Sequence, residues 1–537
     1  MRYLLLCLLA LSITGAFTNA QPNIVLIISD DHAYQAISAY GNSIVHTPSI
    51  DRIASEGALF QKAYVANSIC GPSRASILTG KYSHANGFKD NRSTFDFNQN
   101  NFAKVLQQAG YQTAWIGKMH LGENTPQGFD YYSILPGQGQ YYNPDFLQTG
   151  NVRKRYEGYV TNIIEDVAED WMDKRNKQKP FCLVIGHKAT HRTWMPDTED
   201  LGRFDSINVP LPSTFYDDYA TRKAAAVQDM TIEKTMRMAY DLKVQDEKEE
   251  AAFTKRMTQE QRSRWNAYYE KINKEFKEKK LTGKALTEWK FQRYMRDYLS
   301  TAASLDRNIG RTLDYLDKNN LTENTIVIYM SDQGFYMGEH GWFDKRFMYE
   351  PSFRTPMAAR YPSVIKPGSV FNQSVMNIDI APTLLELANA KVPEDVQGQS
   401  FFSVLKGKPS HQREAMYYHY YEKGEHSVSP HFGIKTARYK LIRFYDKVNA
   451  WELFDLEKDP DELHNIYNEK TSTPIIKNSK QTCTLLFKNI RIQKQKLYST
   501  NKCKRLYIEN LCRRQTLRSF VCEEHELSLC ALCVKAF

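Results

Sequence analysis

Three things are scarce in this 537-residue chain. Beyond its first twenty residues no apolar run is long enough to cross a bilayer. Cysteine is nearly missing where a core would fold: of nine, Cys7 lies in the leader and only Cys70 and Cys182 fall between residues 21 and 468. That stretch also has no surplus of charge. Nearly all of the nominal +10 comes from residues 471–537, with 13 Lys or Arg against 4 Glu, leaving 58 basic and 57 acidic residues in the remainder. These absences exclude a membrane span, a disulfide framework in the core and nucleic-acid binding driven by a basic surface.

At this length the chain can bury a large core, and one large α/β domain with a smaller partner is expected. Met1-Arg2, an apolar run from Tyr3 to Ile13 and the small-x-small site Thr18-Asn19-Ala20 read as a signal peptide, cleaved near Ala20. The mature chain is therefore expected in a secreted, periplasmic or lysosomal compartment.

What is present is a set of buried-strand patterns that end in polar chemistry. Asn23–Ser29 is continuously apolar until Ser29 and runs into Asp30-Asp31. Adjacent carboxylates at the end of such a strand repel, which favours a bound hard cation. Residues 324–331 form a second such strand, ending in Asp332-Gln333-Gly334. Four oxygen-bearing side chains, Asp30, Asp31, Asp332 and Gln333, suit Ca²⁺. No set of His and Asp is spaced for a two-zinc centre. A third strand, Tyr111–Ile116, carries Lys118 and His120 beyond its end. A fourth, Phe181–Gly186, runs into His187-Lys188-Ala189-Thr190-His191. Residues 220–318 are charged and helix-forming; Trp289, Phe291, Tyr294, Tyr298, Leu305, Ile309 and Leu313 fall mostly three or four apart, a helix for the sheet to pack against. Asp246 to Lys280 reads as a solvated helical insertion.

The stretch around which these strands are organised is Ser68-Ile69-Cys70-Gly71-Pro72-Ser73-Arg74-Ala75-Ser76-Ile77-Leu78-Thr79-Gly80. Cys70 is expected on a small-residue turn, with Pro72 fixing the backbone and a helix from Ala75 to Gly80. A thiol near a helix N-terminus and Arg74 suits a nucleophile that meets an anion. Cys70-x-Pro72-Ser73-Arg74 followed by Leu78-Thr79-Gly80 resembles the signature of the type I sulfatases. The family's second signature is matched by Gly110-Tyr111-Gln112-Thr113-Ala114-Trp115-Ile116-Gly117-Lys118-Met119-His120.

The resemblance implies an alkaline-phosphatase-like α/β sandwich, with a large mixed, mostly parallel sheet flanked by helices and a smaller C-terminal antiparallel sheet. It implies that a maturation enzyme oxidises Cys70 to formylglycine, whose hydrated aldehyde is the nucleophile, and that position 70 joins Asp30, Asp31, Asp332 and Gln333 around Ca²⁺. Arg74 would stabilise the hydrate and His120 hold or deprotonate it. Lys118, Lys345 and His191 would face the sulfate, with His191 the general acid and Lys188 a further substrate contact. Thr190 and Thr193 stand where proline is common in the family. The run from Gln333 to Arg346 is similar to the N-acetylglucosamine-6-sulfatase branch, which also carries Asp-Lys-Arg. On that reading Asp344 and Arg346 contact ring hydroxyls beside Lys345, and His431 sits at the pocket rim. The expected substrate is a sulfated oligosaccharide, glycosaminoglycan or mucin bearing 6-O-sulfated N-acetylglucosamine. A phosphodiesterase or phosphonate hydrolase of the same superfamily, or an inactive glycan-binding relative, remain as alternatives.

The expected boundaries are residues 1–20 for the signal peptide and 21–405 for the catalytic domain with its helical insertion at 220–318. The small-sheet subdomain then spans 406–468, with strands near Ala415–Tyr421, Phe432–Arg443 and Trp451–Asp455. Residues 469–537 are a basic tail with six cysteines, Cys483, Cys503, Cys512, Cys522, Cys530 and Cys533. It reads as out-of-frame or mis-joined sequence in place of the family's last helix. Zinc binding by Cys522-x-x-His525 and Cys530-x-x-Cys533 is the alternative, although the gap between the pairs is short.

Overall fold

The computed structural model describes residues 21–484 and 486, except 43, 123, 245–253 and 409–412. The leader and the zinc-like pairs of the tail lie outside the described residues.

Asn23–Ser29 is the centre of the molecule. It pairs in parallel with Thr325–Ser331 on one side and Phe181–Gly186 on the other, and Phe181–Gly186 pairs in parallel with Gln112–Lys118. These four strands are apolar on both faces, and both faces are covered. Ile24, Leu26 and Ile28 enter one cluster with Leu78, Leu106 and Leu384, from the helices Cys70–Thr79, Phe102–Gln108 and Ile380–Leu387. Val25 and Ile27 enter the other with Ile164, Leu305 and Leu313, from the helices Val160–Lys174 and Gly283–Lys318. The two-residue alternation of a strand divides one apolar run between two helix layers.

The sheet extends to ten strands. Beyond Thr325–Ser331 lie Met357–Arg360, antiparallel to it, then Ala58–Phe60 and Ser369–Phe371. Beyond Gln112–Lys118 lie Tyr131–Leu135, in parallel, then the antiparallel ribbon Asp145–Gln148 and Val152–Arg155. A four-stranded antiparallel sheet follows in the C-terminal part: Met416–Tyr420, His431–Lys435, Tyr439–Phe444 and Ala450–Asp455. This is the mixed-sheet sandwich with a small second sheet anticipated above.

Four local expectations change. The helix begins at Cys70 rather than Ala75, because Pro72, having no N–H to leave unsatisfied, fits its first turn. The strand expected over Phe432–Arg443 is a hairpin, turned at Thr436-Ala437-Arg438 where Thr436 and Tyr439 exchange backbone and side-chain hydrogen bonds. The described residues of the insertion before 258 are largely loop, with the short helices Lys223–Val227 and Met238–Leu242. The helix Gln259–Lys279, capped by Thr258 and Gln261, is not wholly solvated: it buries Trp265 and Tyr269.

The chain expected to detach at 469 also stays docked. Residues 473–484 are helical. Cys483 is buried against the small sheet, with Ile475, Ile476 and Leu486 packed beside it. Lys480 lies 4.5 Å from the centre of the Trp451 ring.

Candidate functional site

The four central parallel strands end in register, with Ser29 opposite Ser331, Ile28 opposite Gly186 and Gly117 opposite Gly186. Their C-terminal ends therefore deliver Asp30-Asp31, Asp332-Gln333, Lys118 and the His187–His191 loop to one place, as parallel sheets do. Gly117 and Gly186 permit this: a Cβ on either would lie 2.1 Å from a backbone oxygen of the neighbouring strand. Asp31 and His120, just past the strand ends, hold φ of 63° and 59°, a left-handed backbone that costs non-glycine residues energy and collects at functional sites.

Asp30, Asp31 and Asp332 are fully buried, and one carboxylate oxygen of each lies within 4.8 Å of the others. Burial and then the Asp30 charge push Asp332 up to about 7. Burial also raises Asp31 despite Lys345, while burial of Asp30 is outweighed by Lys118, His191 and Arg74, which hold it well below the usual carboxylate range. Three crowded carboxyls of which two resist ionisation are what a cation would relieve. Asp30 Oδ1 and Gln333 Oε1 are buried with no hydrogen-bond partner. Gln333 Nε2 donates to Asp31 Oδ1 at 2.5 Å and points at Cys70 Sγ at 3.6 Å, which holds the amide beside the cluster. An all-oxygen set with orphaned acceptors fits Ca²⁺.

Cys70 is the first residue of its helix and lines the same cavity. Gly71 is needed next to it, since a Cβ there would lie 2.6 Å from Phe88 Cε1 and 2.8 Å from Asn91 Oδ1. Burial and then Asp30 push the Cys70 thiol up, so as a cysteine it is not an activated thiolate. Arg74, one turn on, is fully buried; it donates to Asp332 Oδ2 at 2.8 Å, to the Lys118 carbonyl at 2.7 Å and to the Ser29 carbonyl at 3.3 Å. Its guanidinium ties three strand ends to the helix.

Two lysines enter from opposite sides. Lys118 Nζ contacts Asp30 and the Gln138 side-chain oxygen. Lys345 Nζ donates to Asp31 Oδ2 at 2.6 Å; burial opposes its charge, but Asp31, Cys70 and Asp344 hold it well above the usual lysine range. His191 Nδ1 lies 2.6 Å from the Arg192 carbonyl and so carries its proton there, leaving Nε2 on the cavity side, 3.9 Å from Asp31 Oδ2. Lys188 is turned away: Nζ donates to the Gln138 carbonyl at 3.0 Å and lies 4.8 Å from the Tyr141 ring centre. Burial and then Lys118 lower it to about 7. His120 Nδ1 is buried without a partner, and the His120 carbonyl would lie 3.0 Å from a Cβ at Gly71, beside the start of the Cys70 helix.

The cavity over these groups has a volume of about 290 Å³. Its outer wall includes Asp344, Arg346, Glu422, Glu425 and His426. Asp344 and Arg346 have φ of 81° and 102° and straddle Lys345. They are not simply each other's partners. Arg346 donates to Glu422 at 2.7 Å and to the Tyr420 hydroxyl at 3.2 Å, Asp344 pairs with His426 Nε2 at 2.8 Å, and their mutual contact is 3.5 Å. Burial works to raise Asp344, but Arg346, Lys345 and His426 hold it well below the usual range.

His431 is not at the rim. It is fully buried in the small sheet, with Nε2 accepting from the Met348 amide at 3.1 Å and Nδ1 2.9 Å from the Ser429 carbonyl. The histidine that the C-terminal part brings to the cavity wall is His426, five residues earlier. Sequence reasoning also missed Gln138, Asn91, Arg192 and Glu422, none of which lies in a recognisable motif. Proximity of Asn91 to the Cys70 signature is the single hint available: its Oδ1 accepts from Gly71 N at 3.1 Å.

The comparisons with known proteins agree with this geometry. The sulfatase family model matches residues 22–390, and the C-terminal model of N-sulphoglucosamine sulphohydrolase matches residues 338–489. The chain belongs to the sulfatase family. This sulfatase is 48% identical over 489 residues to an N-acetylglucosamine-6-O-sulfatase of Bacteroides thetaiotaomicron, covering 87% of each chain. It is 28% identical to an arylsulfatase of Clostridium perfringens, over 84% of this chain and 91% of that one. It superposes with a TM-score of 0.85 and 47% identity on a solved structure in complex with its substrate D-glucosamine-2-N,6-O-disulfate, covering 88% of this chain and 98% of that one. The C-terminal match to residue 489 spans the helix at 473–484, in keeping with its docking on the small sheet.

Proposed function

We propose that this sulfatase removes the 6-O-sulfate of an N-acetylglucosamine unit in a sulfated glycan, using Ca²⁺ and a formylglycine made from Cys70. The observation that carries the reading is the Asp344-Lys345-Arg346 arrangement, in which an anion-binding lysine on Asp31 is flanked by a buried acceptor and a buried donor facing one cavity. Similarity to the Bacteroides N-acetylglucosamine-6-O-sulfatase supports the choice of sugar.

A formylglycine at position 70 would supply a hydrated aldehyde as nucleophile, and Ca²⁺, which Asp30, Asp31, Asp332, Gln333 and position 70 would hold, would supply positive charge to the reaction. The chain's own groups do the rest. Lys118 and Lys345 present fixed ammonium groups to sulfate oxygens, on which negative charge accumulates as sulfur is transferred. Arg74 keeps Asp332 and the strand ends in place. His120, beside the nucleophile's helix, takes the proton of the attacking hydroxyl. His191 turns Nε2 toward the departing sugar oxygen, its orientation set by the Nδ1 bond to Arg192, and acts as general acid in the imidazolium form that the negative charge of a bound sulfate ester favours. Asp344 and Arg346 hold neighbouring ring hydroxyls, and Lys188 acts behind Lys118 through Gln138. A leader cleaved near Ala20 and a formylglycine-generating enzyme would place and mature the protein outside the cytosol. Among the described residues, no helix is long and apolar enough to cross a membrane.

A panel of 6-sulfated N-acetylglucosamine, 6-sulfated N-acetylgalactosamine, a 2-sulfated uronate, an aryl sulfate and a phosphodiester tests the reading. The first should turn over fastest, and chelation should abolish its turnover until Ca²⁺ is restored. Preference for the galactosamine or uronate sulfate overturns the sugar assignment, and preference for the phosphodiester overturns the sulfatase reading.

A further inference from the structure

The segment after Lys345 is gripped by the C-terminal part of the chain at four backbone polar groups. Tyr418 OH donates to the Arg346 carbonyl at 2.5 Å, Lys440 Nζ to the Met348 carbonyl at 2.8 Å, and the Glu350 amide to Glu462 at 2.6 Å. The Met348 amide donates to His431 Nε2 at 3.1 Å. Met348 is held at a third point, since a Cβ at Gly433 would lie 2.7 Å from its sulfur. His431 and Gly433 share one face of the strand His431–Lys435, so one strand face receives both the amide and the side chain of Met348.

We propose that His431 is a positioning residue: as the Nδ1–H tautomer it accepts the Met348 amide and thereby fixes Lys345 and Arg346 in the cavity. The tautomer follows from its two neighbours. Ser429 offers only a carbonyl at 2.9 Å, so Nδ1 carries the proton; Met348 offers only an N–H, so Nε2 must be bare. The ring plane is set by packing between Tyr418, at 5.6 Å and 27°, and Phe444, at 4.7 Å and 34°. Burial lowers His431 to about 4, so Nε2 stays an acceptor at neutral pH. The hold is needed because Asp344 and Arg346 both carry left-handed backbone angles, which persist only where surrounding contacts over-determine them. Without it Lys345 still has Asp31, but Arg346 loses the fixed chain that directs it between Glu422 and the cavity.

The proposal rests on the reading that Lys345 and Arg346 hold the substrate, and two measurements separate them. In the full-length protein His431→Phe fills the ring's space without an acceptor, while His431→Gln supplies one. Amide hydrogen exchange across residues 344–350 should quicken in His431→Phe and return toward wild type in His431→Gln. The kcat/KM for 6-sulfated N-acetylglucosamine should fall by about 10- to 100-fold in His431→Phe, with KM rising, and recover in His431→Gln. Unchanged exchange in His431→Phe, or a His431→Gln protein as loose as His431→Phe, overturns the proposal. Faster exchange with unchanged turnover supports the hold on Met348 and instead refutes the assignment of Lys345 and Arg346 to substrate. If His431→Phe does not fold, the wild-type protein decides: a protected Met348 amide supports the hold, and one exchanging at the rate of an open chain overturns it.

Discussion

Arg74 donates to Asp332 Oδ2 at 2.8 Å, and neither side chain is exposed to solvent. The pair joins the helix that presents Cys70 to the strand end that presents Asp332, a proposed Ca²⁺ ligand. Arg74→Ala leaves Asp332 buried without its cation and frees two strand-end carbonyls. Loss of one member of a buried pair should cost about 3–5 kcal/mol of folding stability. Denaturant unfolding of the variant checks this, together with loss of Ca²⁺-dependent protection against heat.

Asp344 and His426 meet at 2.8 Å on the cavity wall. If Asp344 reads a sugar hydroxyl, Asp344→Ala should lose about 2–4 kcal/mol in kcat/KM on 6-sulfated N-acetylglucosamine. A small aryl sulfate, which has no such hydroxyl, should lose far less. Equal losses on both substrates would show that Asp344 serves only to support Lys345.

Glu452 is buried on the strand Ala450–Asp455, where Tyr349 OH donates to it at 2.7 Å. Burial pushes its carboxyl from an ordinary 4.5 up to about 7. Between those values the folded chain keeps a proton that the unfolded chain has released. The native state then binds more protons, so stability contributed by this group falls as pH rises from about 4.5 to 7 and levels off above. Glu452→Gln should flatten that part of the profile. Unfolding midpoints of both proteins at pH 5 and pH 8 would show it, with a narrower gap in the variant.

The docked helix changes what truncation should do. Ending the chain after Asn468 uncovers the pocket that receives Ile475, Ile476, Cys483 and Leu486, and should lower the melting temperature. Ending it after Leu486 keeps those contacts and should leave both stability and activity at the full-length level. Equal melting temperatures for the two truncations would show that the helix adds nothing.

Much of this arrangement was legible in the sequence because backbone physics writes it there. Buried parallel strands must be apolar along their length, so Asn23–Ser29, Thr325–Ser331 and Phe181–Gly186 stand out, and polar residues at their ends fall where such sheets gather ligands. The Cys70 motif was equally clear, although its helix starts earlier than a proline suggests. Of the outer wall only Asp344 and Arg346 were legible. His426, Glu422 and Gln138 reach the cavity from loops, whose course is set by tertiary packing rather than by any period of their own residues. His431 and His426 illustrate the limit: both lie in polar, glycine-punctuated sequence, and only the hairpin register decides which ring is buried. The docked helix was hidden by composition, because Lys477, Lys480 and the polar residues around them mask Ile475, Ile476 and Cys483 within it.

On the proposed function, position 70 acts as a formylglycine within the oxygen-lined site. Mass analysis of the tryptic peptide Ala63–Arg74, taken from a preparation whose sulfate release has been measured, tests it most directly. An aldehyde or its hydrate is expected in place of the Cys70 thiol, in proportion to activity across preparations. A fully active preparation in which that peptide carries only the unmodified thiol would contradict it.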